Sequence, residues 1–143
     1  MRWIMALTLF VLLSLPTFQP AALAQGPRNG SPRSLAEGIL KGITEGIAQG
    51  DYNLYSSRFS STMKSAQNRT KFLQFKTNVQ KSLGSLQSVE YLGSYEQQGN
   101  FITLFKARFN KEKDDVLIKL VLDRATPDAR VTGLWFEAPS LER

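Results

Sequence analysis

The chain has 143 residues, of which 42% are hydrophobic and 21% are charged, and these values predict one folded globular domain rather than a disordered tail. It contains no cysteine and no histidine, which excludes thiol nucleophiles, disulfides, Cys/His zinc sites and imidazole general bases. The 18 Lys and Arg residues exceed the 12 Asp and Glu residues, and the resulting net charge of +6 favours anionic partners without identifying one.

The first 24 residues have the three parts of a secretory signal peptide. Arg2 supplies the positive start, Trp3 to Leu15 form an apolar run, and Ala22-Leu23-Ala24 places small residues before a cleavage point at Gln25. A retained membrane anchor is the alternative, but the run is too short to cross about 30 Å of hydrocarbon at about 1.5 Å per residue. We therefore predict cleavage after Ala24 and export, as a periplasmic or secreted protein with a net charge of +5.

The mature chain is predicted to begin with a flexible leader and a helix. Residues 25–33 contain turn-forming residues and no apolar residue, as expected of a leader. Ser34 and Glu37 have the spacing of a capping box, which predicts a helix from Ser34 to about Gln49. Its apolar stripe recurs at every fourth position: Leu35, Ile39, Ile43 and Ile47.

The same helix carries a second stripe, of glycines. Gly38, Gly42 and Gly46 lie inside it and Gly50 follows its end. Each internal glycine costs up to about 1 kcal/mol relative to alanine, so close packing against a neighbouring element is the expected compensation. A homodimer seam is the alternative interpretation, and a membrane-helix pair is excluded by the charged residues Lys41 and Glu45.

Two further helical segments are predicted before the sheet. Asp51 is a helix cap at the start of one or two short helical turns that extend to Ala66. Asn68 is a cap for a third helix over about Arg69 to Ser82, which ends before Gly84.

After Gly84 the pattern changes to alternation and predicts four strands at about 87–97, 100–110, 115–124 and 129–137. The breaks between them are short enough for hairpins, so the expected sheet is an antiparallel meander. Pairing Phe109 with Val116 places the apolar residues of the two central strands on one face and Lys106, Arg108 and Lys119 on the other. The inward side of the last strand stays open between a face with Trp135 and a face with Phe136.

This order of elements resembles the nuclear transport factor 2-like superfamily, whose domains have a cystatin-like, cone-shaped α+β fold. The resemblance is greatest to a bacterial family of unknown function that is often found in exported proteins. It is carried by Gly50-Asp51-Tyr52 through Phe59, by Met63-Lys64, and by Val131-Thr132-Gly133-Leu134-Trp135-Phe136, and it covers roughly residues 34–138. It implies helices packed on one face of a curved four-stranded antiparallel sheet, with a pocket on the concave side. Residues 139–143 are then a C-terminal tail.

Catalysis is weakly indicated. Enzymes with this fold typically use a histidine or an aspartate in the pocket, and this chain has no histidine. The strand carboxylates Glu90, Glu96 and Asp123 show no paired arrangement for acid–base work, and Glu137, which shares a face with Trp135, is the best of a weak set. The hairpin acids Asp114, Asp115 and Asp128 lack the spacing of a calcium loop, so we expect no metal and no cofactor.

Aromatic residues give a stronger signal for a binding pocket. The alternative is that they fill the core and leave no cavity. The candidates for an apolar pocket are Phe59, Phe72, Tyr91, Tyr95, Phe101, Phe105, Phe109 and Trp135. Of these, Tyr91 and Tyr95 would orient the ligand through their hydroxyls, and a ligand beside Trp135 would change its fluorescence.

The segment between Tyr52 and Val89 contains six basic residues and no acidic one. A solvated helix face is the ordinary explanation. Contact with an anionic envelope surface is the functional alternative, for which the candidates are Arg69, Lys71, Lys76 and Lys81. Nucleic acid is a disfavoured partner, because an exported protein does not meet it and no nucleic-acid-binding module is recognisable.

These features predict a non-enzymatic, exported binding or interaction module. Its partner would be an apolar small molecule or another envelope protein, and a homodimer remains open. The alternative function is a small hydrolase- or isomerase-type enzyme with a carboxylate in the pocket.

Overall fold

In the computed structural model, which describes residues 30–142, four helices precede four strands and form an α+β domain. The helices are α1 (Pro32–Gln49), α2 (Tyr52–Tyr55), α3 (Ser61–Ala66) and α4 (Arg69–Ser82). The strands are β1 (Leu86–Gln97), β2 (Asn100–Phe109), β3 (Val116–Leu122) and β4 (Val131–Glu137). They pair antiparallel in the order β1-β2-β3-β4, which confirms the predicted meander and leaves β1 and β4 as edges. The predicted signal peptide lies outside the described residues.

The helix ends follow the predicted caps with one exception. The side chain of Asp51 accepts from two backbone amides at the start of α2, and that of Asn68 accepts from the Lys71 amide at the start of α4. The capping box at Ser34 is wrong, because α1 begins at Pro32 and its N-cap is Ser31, whose hydroxyl accepts from the Ser34 amide at 3.2 Å. Proline suits the first helical position because it has no amide hydrogen to satisfy there. The predicted leader therefore ends before Pro32.

The end of α1 is fixed by contacts from two neighbours. Gly50 caps it with φ +71°, a conformation that costs glycine nothing. The Nζ of Lys76 lies over this glycine, about where a cation offsets the negative end of the helix dipole. Of the three glycines inside the helix, only Gly46 packs closely against the described residues: its ideal Cβ would lie 2.5 Å from the backbone nitrogen of Tyr55, whereas Gly38 faces open space.

The core lies between the helices and one face of the sheet, here called the inner face. Ile39, Ile43 and Ile47 of the apolar stripe are buried there, and Leu35 is half-buried beside them. The inner face of β3 contributes Val116, Ile118, Leu120 and Leu122. Tyr55 lies at the centre of an aromatic cluster, with ring centroids 4.6 Å from Phe72 and 4.9 Å from Phe59. Burial raises the pKa of the Tyr55 phenol well above its ordinary value, so the hydroxyl stays protonated.

The register of the central pair differs from the prediction by two residues. The structure pairs Ala107, not Phe109, with Val116. The predicted division of faces is nevertheless right, because a slip of two residues returns every side chain to the same side.

The last strand changes sides at a register irregularity between Val121 and Leu122. Val131 is buried on the inner face opposite Leu122, and Phe136 also points inward. Trp135 lies opposite Lys119 on the other face, here called the outer face. This settles the orientation that the sequence left open.

Two long-range contacts close the domain. Arg58 donates from its guanidinium to the carbonyls of Pro127 and Ala129, which holds the loop between β3 and β4 against the helices. The backbone amide of Ser140 donates to the Glu112 carboxylate at 3.2 Å, so the predicted C-terminal tail is docked through residue 141 as a short 3-10 turn.

Candidate binding groove

A groove runs between α1 and the edge strand β1 on the helical side of the sheet. It consists of two adjoining cavities of about 520 Å³ and about 460 Å³. Both include Thr44, Glu45 and Leu86 in their walls, so the two cavities adjoin along these residues. Each volume lies within the range of small-molecule sites in proteins.

The floor of the groove is apolar. The first cavity ends on Phe109 and Phe136, with Ile47 and Val79 beside them. The floor of the second cavity consists of Leu40 of α1 and of Val89 and Phe105 of the sheet. Apolar walls of this kind bind ligands by removing apolar area from water.

The groove remains open because α1 is held at its two ends. Its C-terminal end rests against α2 at Gly46, and the Arg33 guanidinium near its N-terminus lies 4.4 Å from the centre of the Tyr91 ring. Between these points no side chain of residues 30–142 fills the space over Leu86 and Val89, and Val89 is 41% exposed. An edge strand with apolar residues and no covering element is a typical place for a partner or a ligand to bind.

Paired charges and hydrogen bonds line the rim. Lys41 is ion-paired with Glu45, and Arg33 donates to Glu37 at 2.9 Å, each across one turn of α1. At the other end of the groove the Lys111 ammonium donates to the carbonyl of Gln80 at 3.3 Å. The rim is therefore polar and already satisfied, and it offers little free charge to a ligand.

Tyr91 is the predicted pocket residue with the most constrained hydroxyl. It donates to the Ser94 hydroxyl at 3.0 Å, which in turn lies 3.0 Å from the hydroxyl of Thr103. Thr103 is fully buried, so this series of hydrogen bonds gives its hydroxyl the partner that a buried polar group on the inner face needs. The hydrogen of the Tyr91 hydroxyl is thus engaged within the protein, and only its oxygen is available to accept a hydrogen bond from a ligand.

The eight aromatic candidates separate into three groups. Tyr91, Phe105 and Phe109 contribute to the groove. The others divide between the filled core, which takes Phe59, Phe72 and Phe101, and the outer face, which takes Tyr95 and Trp135. The expectation of one cavity lined by all eight is therefore wrong, because the sheet itself separates Tyr95 and Trp135 from the rest.

The four basic candidates on α4 do not form a common surface. Arg69 lies 5.3 Å from the centre of the Tyr52 ring and Lys76 covers Gly50, so both are engaged in packing the helices. Lys71 and Lys81 are exposed but lie about 15 Å apart along α4, ten residues at about 1.5 Å per residue. Among the described residues none of the four has a carboxylate within ion-pair distance.

The strand carboxylates do not point into the groove. Glu90 is paired with Lys106 across the outer face at 2.7 Å, and Glu137 is exposed at the end of β4 on that face. Asp123 accepts from the Arg130 amide at 2.8 Å in the loop beyond β3. Within residues 30–142 no cluster of three or more carboxylates is arranged to hold a metal ion.

Several groove residues carry no recognisable sequence signal. Thr44 and Ala48 flank the apolar stripe of α1, and Leu86 opens β1, but none of these residue types indicates a ligand. A flanking position on an amphipathic helix becomes a groove wall only when the neighbouring strand stands away from it. That separation depends on the packing at Gly46 and Tyr91, which the sequence pattern does not show.

The helices described here are all too short or too polar to span a bilayer. Comparison of the chain with protein-family models, with curated proteins and with solved structures gives no match.

Proposed function

We propose that this protein is a binding module that takes an apolar or amphiphilic small molecule in the groove between α1 and β1. The observation that supports this most directly is the open, apolar space over Leu86, where the two cavities join. Its floor is apolar and its rim is polar, so an elongated ligand could bury its apolar part and keep any polar end at the solvent.

A binding role fits the groove better than catalysis does. The two carboxylates in its walls, Glu37 and Glu45, are each paired with a cation on the preceding turn of the same helix. General acid–base catalysis needs two groups with separated pKa values in one cleft. Two similar, solvated ion pairs do not supply that difference.

The cellular setting and the family are part of the same proposal. Export rests on the first 24 residues, which precede the described part of the chain. Membership of the nuclear transport factor 2-like superfamily rests on the sequence resemblance and on the order of helices and strands. Under this proposal the groove would hold its ligand outside the cytoplasm.

The groove can be tested with the apolar fluorescent probe N-phenyl-1-naphthylamine. We expect saturable binding and a rise in melting temperature, because a ligand at a hundredfold excess over its dissociation constant stabilises the folded state by about 2.7 kcal/mol. Ala48→Trp should fill the first cavity and weaken probe binding at least tenfold.

Ala66→Trp is the matched control, since Ala66 is also an exposed helical alanine but lies on α3 away from the groove. It should bind the probe like the unaltered protein. Equal binding by both variants, or no saturable binding at all, would contradict a ligand site in the groove.

A further inference from the structure

The groove between α1 and β1 differs chemically from one end to the other. At one end the sheet gives the second cavity a wall of Tyr91, Phe105 and Val89. The first cavity has an apolar floor, but its rim at the opposite end of the groove carries four polar residues, here called the polar end: Gln80, Ser85, Asn110 and Lys111. A few polar groups at one end of an apolar site fix the orientation of its ligand.

The little free charge of the groove lies at this polar end. Two lysines line the groove among the described residues, Lys41 and Lys111. Lys41 is ion-paired with Glu45. Within residues 30–142 Lys111 has no carboxylate at ion-pair distance, and its ammonium donates to the backbone carbonyl of Gln80 at 3.3 Å. A carbonyl takes one of the three ammonium hydrogens and leaves the unit charge in place.

Lys111 is held in position by the packing of its hairpin against the end of α4. Its backbone amide donates to the carbonyl of Leu83 at 2.9 Å. Glycine at position 84 leaves room for its side chain, because an ideal Cβ there would lie 2.8 Å from the Lys111 Cγ. The side chain therefore crosses Gly84 towards the last turn of α4, along the rim of the first cavity.

Asn110 supplies a hydrogen-bond donor beside this cation. Its side-chain oxygen accepts from the Ser85 amide at 2.8 Å, which orients the carboxamide and leaves its nitrogen for another acceptor. Both Asn110 and Lys111 line the first cavity. An ammonium and a carboxamide nitrogen side by side favour a ligand head that is anionic and accepts hydrogen bonds.

The shape of the groove suits a single apolar chain. Its wall on α1 extends from Glu37 to Ala48, a distance of about 16 Å at about 1.5 Å per residue. The two cavities adjoin midway at Thr44 and Leu86, so the apolar space is elongated along the helix. An unbranched chain fills such a space better than a compact ring system does.

We propose that the ligand of the groove is a fatty-acid-like amphiphile, with a carboxylate head at Lys111 and Asn110 and a single chain that extends along α1 towards Tyr91. This inference rests on the proposed function, because it names the ligand class of the same groove. Charge complementarity supports it, since one cation and one carboxamide match the single charge and the two oxygens of a carboxylate. The ion pairs on α1 are neutral overall, so Lys111 decides the preference for a charged head.

Competition with N-phenyl-1-naphthylamine tests this preference. Dodecanoate and dodecanol have the same chain and differ in the charge of the head. At neutral pH and below micelle-forming concentrations, both should displace the probe. Dodecanoate should do so at about three- to fivefold lower concentration, the effect of a solvated ion pair. Raising the salt from 0.1 M to 1 M, which shortens the Debye length from about 10 Å to about 3 Å, should reduce this difference.

Two lysines of the same hairpin give a matched pair of variants. Lys111→Gln removes the charge but keeps a donor for the Gln80 carbonyl. It should abolish the preference for dodecanoate and leave the affinity for dodecanol unchanged, whereas Lys111→Arg should keep the preference. Lys113→Gln removes the same charge from an exposed residue outside both cavities, so the preference should persist. Circular dichroism verifies that each variant is folded.

Four results would overturn this inference and leave the proposed function in place, provided that the probe binds saturably and Ala48→Trp weakens its binding. The first is displacement of the probe by neither amphiphile, and the second is displacement by dodecanol at the same or a lower concentration than dodecanoate. The third is a preference for dodecanoate that persists in Lys111→Gln. The fourth is a preference lost equally in Lys113→Gln, which would assign it to net charge. Absence of saturable probe binding would overturn both proposals together.

Discussion

Alanine substitutions along the glycine stripe of α1 test whether close packing occurs where the structure has it. An ideal Cβ at Gly46 would lie 2.5 Å from the nitrogen and 2.7 Å from the Cα of Tyr55. Favourable contacts between heavy atoms begin near 3.5 Å, so α2 would have to move by about 1 Å. The contacted atoms are backbone and cannot rotate aside. The Asp51 amide also donates to the Gly46 carbonyl at 2.9 Å, which couples this movement to the cap of α2.

The other two internal glycines have room for a methyl group. Gly38 has no heavy atom within 4 Å of an ideal Cβ, and the nearest at Gly42 is a leucine methyl at 4.0 Å. Replacing an exposed helical glycine by alanine gains up to about 1 kcal/mol in the free energy of unfolding. Gly38→Ala and Gly42→Ala should therefore stabilise the protein.

Gly46→Ala should do the opposite. Overpacking against fixed atoms costs about 3 kcal/mol, the upper part of the usual range, and the helix-propensity gain offsets about 1 kcal/mol of it. A net loss of about 2 kcal/mol corresponds to a fall of about 8 °C in melting temperature, at about 4 °C per kcal/mol for a domain of this size. Urea unfolding followed by circular dichroism measures the free energy directly.

The ranking of the three variants decides the outcome. If Gly46→Ala is as stable as Gly38→Ala, the contact between α1 and α2 is not close, and the account of why the groove stays open fails with it. If all three variants destabilise by similar amounts, the stripe packs along its whole length, as a homodimer seam would require.

Two further predictions concern stability. The pKa of Asp128 is lowered, mainly by the hydrogen bond from the Thr126 hydroxyl and also by Arg124, so its ionised form should stabilise the folded state above about pH 4 and lose this effect as the pH falls further. Burial raises the pKa of Tyr55, so the free energy of unfolding should decline above about pH 10, where the phenol ionises in the unfolded chain. Urea midpoints should therefore be flat between about pH 5 and about pH 10. Tyr55→Phe should reduce the alkaline decline and leave the smaller part that comes from Lys106, whose pKa the Glu90 carboxylate raises; an undiminished decline in this variant would contradict the assignment to Tyr55. Arg58→Met leaves two loop carbonyls without their donor and should cost about 1–3 kcal/mol in the free energy of unfolding, whereas an unchanged urea midpoint would show that solvent satisfies these carbonyls.

Local signals in the sequence determined most of the secondary structure. The side-chain oxygens of Asp51 and Asn68 accept from amides in the first turn of a helix that have no other partner in it, so the helices after them begin as predicted. The turn at Gln98 and Gly99 joins β1 to β2 as expected, with positive φ at both positions. Period-two alternation likewise assigned the inner faces of β2 and β3, because each strand buries one side.

The tertiary structure decided the features that have no local signature. The pairing of Ala107 with Val116 differs from the predicted register by two residues, a slip to which an alternating pattern is insensitive. The side taken by Trp135 depends on the register irregularity beyond Val121, which changes which residues face inward. Only Gly46 among equally spaced glycines meets a backbone, because the chain turns back on itself there and nowhere else along α1. The groove follows from this contact, since it depends on which surfaces the packed elements leave uncovered.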